Sequence, residues 1–70
     1  MNTNKNVDKR IIKTKTAIKT ALVKLLEKKK VEEISIVELT NLASVNRKTF
    51  YLHYSDVDSV IKEIENDFFK

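Results

Sequence analysis

Ile11, Ile18, Leu22 and Leu25 recur at steps of seven, four and three, with Ala21 and Leu26 on the flanks. That is the apolar stripe of an amphipathic helix, and it predicts one from about Asp8 to Lys30. Lys9, Lys13, Thr16, Thr20 and Lys24 fall on other faces. Asp8 is the expected N-cap. Lys28, Lys29 and Lys30 sit at the far end, where cations complement the helix dipole. Residues 1–9 are read as a flexible basic arm, the first seven being polar and aperiodic.

The rest of the chain continues in the same period. Val31 to Ile34 is a short connection with two apolar anchors. Ser35 followed three residues later by Glu38 is a capping box, opening a second helix over about Ile36 to Ala43 with Ile36, Leu39, Leu42 and Ala43 inward. Asn46 is an N-cap for a third helix, about Arg47 to His53. On it, Phe50 and Tyr54 share a face to be buried, while Arg47, Lys48 and Tyr51 share the opposite one. Ser55-Asp56 offers a last cap, after which Val57, Val60, Ile61, Ile64 and Phe68 return to helical spacing. The alternation at Ser35-Ile36-Val37 is too short for a strand and has no second run to pair with. The expected fold class is all-α: three helices forming a helix-turn-helix domain, followed by the start of a fourth.

Composition removes whole classes of chemistry. The 70 residues contain no Gly and no Cys, and His53 is the one histidine. Glycine loops that cradle phosphates, cysteine-ligated zinc, thiol nucleophiles and disulfide frameworks are excluded. No serine or carboxylate is placed by sequence to form a triad with His53, so the chain is not expected to be an enzyme. No metal and no cofactor is expected either; capping and first-turn roles account for Asp56 and Asp58. No apolar run approaches the roughly 20 residues of a membrane span, and the N-terminus lacks the apolar core of a signal peptide. A cytoplasmic location is the expectation.

The net charge of +4 is unevenly spread. Residues 1–30 carry ten Lys/Arg against Asp8 and Glu27, whereas residues 31–70 carry four basic residues against eight acidic ones. This asymmetry fits a basic face that meets a polyanion; a solvated lysine face on an ordinary helix also accounts for it. Two short helices joined by a tight turn make the helix-turn-helix arrangement, whose second helix enters the major groove. On the third helix, Arg47 and Lys48 reach guanine acceptors or phosphates. Thr49 offers a hydroxyl and a methyl, Tyr51 a phenol and His53 a ring nitrogen. Leu52 either touches a thymine methyl or borders the core. Helix pairs like this also occur in plain bundles.

The run Ser35 to Tyr54, and above all Thr49-Phe50-Tyr51-Leu52-His53-Tyr54, resembles the DNA-binding domain of the tetracycline-repressor (TetR) family, whose recognition helix carries a Thr-apolar-Tyr-any-His-aromatic signature. The likeness extends over residues 10–70, with the helix-turn-helix at about 35–54. It implies a transcriptional regulator, usually a repressor, that binds double-stranded DNA at a palindromic operator as a homodimer. It implies Arg47, Lys48 and Thr49 near the bases, Tyr51 and His53 on phosphates, and Ser35 and Asn46 at helix N-termini facing the backbone.

Three positions depart from the family pattern. Ser44 stands where the family usually has Gly, at a cost on the order of 1 kcal/mol if left-handed. Thr40 replaces a small Ala, which bears on close packing of the second helix. Val57 stands where a Lys is common, so no phosphate contact is expected there. The effector-binding and dimerisation domain of the family is absent from these residues, and the expectation is an N-terminal piece of a longer protein; the rival is a naturally short DNA-binding protein. The functional alternative is a small helical adaptor that binds protein through Phe68, Phe69 and the stripe of the fourth helix. Attachment of the basic first helix to a membrane surface ranks last, because no Trp or Phe marks its apolar face.

Overall fold

The computed structural model describes the backbone of residues 4–68 and the side chains of residues 9–68. Four helices follow one another: α1 (Asn4–Leu26), α2 (Ile36–Ala43), α3 (Arg47–His53) and α4 (Val57–Phe68), with a single 3-10 turn at Val31–Glu33. Among the described residues there is no strand, and the all-α expectation holds.

The core forms where the helical stripes meet. Ile18, Leu22, Leu39, Phe50 and Val60 are fully buried, with Ala21, Ile34 and Tyr54 beside them. Each helix therefore contributes at least one residue that is removed from water completely. For side chains of this size that burial stabilises by roughly 1.5–3 kcal/mol each. α1 packs on α2 and α4, and α2 on α3. Neither α2 with 8 residues nor α3 with 7 would persist alone; they are held by Leu39 and Phe50.

Side-chain caps set the boundaries. Ser35 Oγ accepts from the Glu38 N–H at 3.0 Å, and Asn46 Oδ1 accepts from the Lys48 N–H at 2.8 Å. Asp56 Oδ1 accepts from the Ser59 N–H and hydroxyl, both at 2.8 Å. These bonds lower the Asp56 carboxyl below its ordinary value. Of the expected capping box the Ser35 side-chain cap forms, while the Glu38 carboxylate takes Lys29 as its main partner. Glu38 turns its carboxylate to Lys29 Nζ at 2.5 Å, and that partner, with the Ser35 backbone, holds it below its ordinary pKa.

The turn between α2 and α3 is built on a left-handed residue. Ser44 has φ 58° and ψ 40°. The Val45 N–H donates to Thr40 O at 2.9 Å and the Ser44 N–H to Asn41 O at 3.2 Å. This is the Schellman pattern, in which glycine is the usual left-handed residue. Thr40, the other departure in α2, is 2% exposed. Its hydroxyl donates back to Ile36 O at 2.8 Å, so the buried Thr40 hydroxyl is paired within its own helix.

Three expectations need correction. α1 begins at Asn4, so the stretch of the expected arm from Asn4 to Lys9 is helical and Asp8 lies inside the helix rather than at its cap. No Gly or Pro interrupts residues 4–8, so nothing local stops the helix there; residues 1–3 lie outside the described ones. At the other end α1 stops at Leu26, and Lys28, Lys29 and Lys30 follow it, with Lys28 and Lys29 donating their N–H groups to Leu25 O. Leu42 is not inward but 48% exposed, because the buried stripe of α2 runs through Leu39 and Thr40. Phe68 continues the helical spacing of α4 at its end and is 80% exposed; Phe69 lies outside the described residues.

Candidate nucleic-acid interface

Phe50 fixes the orientation of α3. It is completely buried, with its ring 5.5 Å from that of Tyr51 and 5.6 Å from that of Tyr54. With one side of a short helix nailed to the core, the phase of the others follows. Lys48 and Leu52, four residues apart, stand opposite Phe50 on the crest. Arg47 and Tyr51 flank that crest on one side, and Thr49 and His53 on the other.

Exposure agrees with that phase. Arg47 and Lys48 are exposed, as are Tyr51 at 54% and Leu52 at 78%. Thr49 and His53 are half-buried, with the His53 ring edge-on to Tyr54 at 6.5 Å. The crest and its Arg47–Tyr51 side thus form an outward ridge, while Thr49 and His53 sit on its shoulder. Asn46 and Ser35 are both exposed at the N-termini of α3 and α2. Their side-chain oxygens are engaged by backbone N–H groups, so each acts first as a cap. The Ser35 hydroxyl keeps its proton to donate.

Electrostatically the ridge is one-signed. Residues 39–55 contain no Asp or Glu. Arg47 and Lys48 make no ion pair among the described residues, whose salt bridges involve Lys15, Lys19 and Lys29 instead. Two unneutralised cations on an exposed helix can attract an anion without first breaking an internal contact.

A shallow hollow joins this ridge to α2. It is lined by Val37, Asn41, Asn46, Arg47 and Lys48, among others. A second hollow on α2 shares Val37 and Asn41 and reaches Ser35. Ser35 and the ridge therefore belong to one continuous surface running along α2. Asn41, exposed and able both to donate and to accept, lies on it. The sequence reading missed Asn41. Its position four residues after Val37, on the side of α2 away from Leu39, was the available signal.

Two acidic residues of α4, Glu63 and Asp67, pair with lysines of α1. Glu63 accepts from Lys15 Nζ at 3.2 Å, from Lys19 Nζ at 2.9 Å and from the Tyr54 hydroxyl at 2.8 Å. Asp67 pairs with Lys19 at 2.7 Å. Lys15 also lies 5.5 Å from the centre of the Tyr54 ring, within cation–π range. Burial pulls the Glu63 carboxyl up, but hydrogen bonds from Lys19, Tyr54 and Lys15 outweigh it and leave its pKa at about 2. Burial, and donation to Glu63, push the Tyr54 phenol well above its ordinary value. The bond to Asp67 does most to raise Lys19. Tyr54 is thereby a core residue, 5% exposed. The network ties α1 and α4 to the end of α3 on the side away from the ridge.

Among the described residues no helix is long and apolar enough to cross a membrane. No family model matches the sequence, and no solved structure matches it. The chain is similar to the Uncharacterized HTH-type transcriptional regulator YxbF of Bacillus subtilis (strain 168), with 30% identity over 59 residues. The matched segment is 83% of this chain and 16% of that relative, so this chain spans a small part of the protein it resembles. That likeness and the observed pair of helices joined through Ser44–Asn46 together support a regulator domain of helix-turn-helix type.

Proposed function

We propose that this chain is the sequence-specific DNA-binding domain of a transcriptional regulator of the TetR kind, with α3 as its recognition helix in the major groove. One observation carries the reading: Arg47 and Lys48 are exposed on a helix anchored by Phe50, with no acidic side chain from residue 39 to residue 55. In this reading Lys48 and Arg47 meet base edges or nearby phosphates. Tyr51 holds the backbone beside them, His53 reaches phosphate from the shoulder, and Thr49, half-buried on that shoulder, is assigned to phosphate rather than to the base role the resemblance implies. Ser35, with Asn41, meets a second stretch of backbone, since a capped helix N-terminus suits an anion.

Repression, a palindromic operator and a homodimer formed through a further domain extend this reading along the family resemblance. The work is binding, with no catalytic step assigned to any residue. Its site is the cytoplasm, where such a regulator finds its chromosome. The competing adaptor reading rests on Phe68, which lines an apolar hollow with Val23 and Ile64 between α1 and α4.

Fluorescence anisotropy of the chain with a labelled duplex separates the two. The DNA reading expects affinity at low salt that falls steeply and linearly in log–log form as salt rises. Absence of duplex affinity at low salt would refute it and leave the adaptor.

A further inference from the structure

We infer that Leu52 is a specificity-determining residue that reads the 5-methyl group of a thymine in the bound duplex. The inference rests on the DNA-binding reading above and adds a base identity to it.

Leu52 is 78% exposed on the crest of α3, one turn from Lys48 and directly opposite the buried Phe50. A residue in that position goes deepest into whatever the helix enters. The neighbours on the ridge, Arg47, Lys48 and Tyr51, all carry groups that hold phosphates or base acceptors. Leucine carries none. It can neither donate nor accept, so it gains nothing from a phosphate and loses nothing by leaving water. The major groove presents acceptors, donors and a single apolar feature, the thymine methyl. That methyl is the partner with which an exposed leucine on this crest makes a favourable contact. Its exposure sets Leu52 apart from the core and leaves the groove as its surroundings.

The test uses duplexes that the chain enriches from a randomised pool. Each thymine is replaced in turn by deoxyuridine, which deletes the methyl and nothing else. Affinity is then measured for the unaltered chain and for Leu52→Ala, whose helix content is checked by circular dichroism. The expected result is a thymine position at which deoxyuridine weakens the unaltered chain roughly three- to ten-fold, the worth of about one buried carbon to two. At that position deoxyuridine has no further effect on Leu52→Ala, which already binds the thymine duplex more weakly by a similar factor. The inference is overturned if every deoxyuridine penalty is the same in both proteins, if Leu52→Ala binds the thymine duplex as tightly as the unaltered chain, or if the enriched sites share no thymine. Those results leave sequence-specific binding in place. Enrichment of no sequence and no duplex affinity at low salt would instead remove the DNA-binding reading, and this inference with it.

Discussion

The Tyr54 hydroxyl donates a 2.8 Å hydrogen bond to the Glu63 carboxylate, joining the residue that closes α3 to the middle of α4. The same carboxylate receives Lys15 and Lys19 from α1. Three helices therefore meet at one charged group, 29% exposed at its side chain, and the end of the recognition helix is held there from behind.

Stability should fall in acid through Glu63. Its folded pKa of about 2 lies below the ordinary 4.5, so its contribution is complete above pH 4.5 and is lost as pH drops from there toward 2. After solvent screening this amounts to roughly 1–3 kcal/mol. Thermal unfolding midpoints measured across this range should drop for the unaltered chain and drop less for Glu63→Gln. Parallel pH curves for the two proteins would place the acid sensitivity elsewhere. Lys19 and Tyr54 are shifted upward, so their contributions hold at neutral pH and fall away only in alkali.

Tyr54→Phe isolates the hydroxyl, since the ring that packs on Phe50 stays in place. A hydrogen bond to a charged acceptor is worth about 1.5–3 kcal/mol, which in a domain of this size corresponds to a fall in Tm of roughly 6–20 °C. Lys15 and Lys19 still engage Glu63, so the acid sensitivity should persist in this variant. An unchanged Tm would show that the bond does not contribute.

Ser44→Gly should stabilise the chain. Ser44 is the one non-glycine residue with positive φ among those described, and a left-handed L-residue costs roughly 1–2 kcal/mol. Glycine removes that cost but gives up unfolded-state rigidity worth about 0.5–1 kcal/mol. The expected net gain is about 0.5–1 kcal/mol, seen as a higher denaturation midpoint with an unchanged urea m-value. A lower midpoint would mean that the serine side chain makes a compensating contact.

The local features were readable because their causes are local. Ser35, Asn46 and Asp56 cap as read, since each bonds an N–H two or three residues away. Phe50 and Tyr54 are buried as the period required, and the outward phase of Arg47, Lys48 and Tyr51 follows from Phe50. The features set by distant contacts were not readable. Glu63 meets Lys15 from 48 positions away, and nothing near Glu63 announces its partner. The eight residues of α2 admit two inward stripes, and packing on α1 selects the one that buries Thr40 and exposes Leu42. The place of Leu52 has the same cause, because only the rotation of α3 against the core separates crest from flank.

Arg47→Ala and Lys48→Ala distinguish reading a base from holding a phosphate. Both side chains are exposed and make no ion pair among the described residues, so neither substitution should lower Tm appreciably. A residue that reads a base costs about 1–3 kcal/mol on its preferred duplex and little on scrambled DNA. A residue that holds a phosphate weakens all duplexes alike and reduces the salt slope by about one. Lys48 stands on the crest beside Leu52, and Arg47 beside Tyr51. The expected outcome is sequence-selective loss for Lys48→Ala and, for Arg47→Ala, a mixture of selective loss with a shallower salt slope. Anisotropy titrations over a series of salt concentrations, on preferred and scrambled duplexes, read both quantities. Duplex affinity untouched by either substitution would show that the DNA lies against some other face of the molecule.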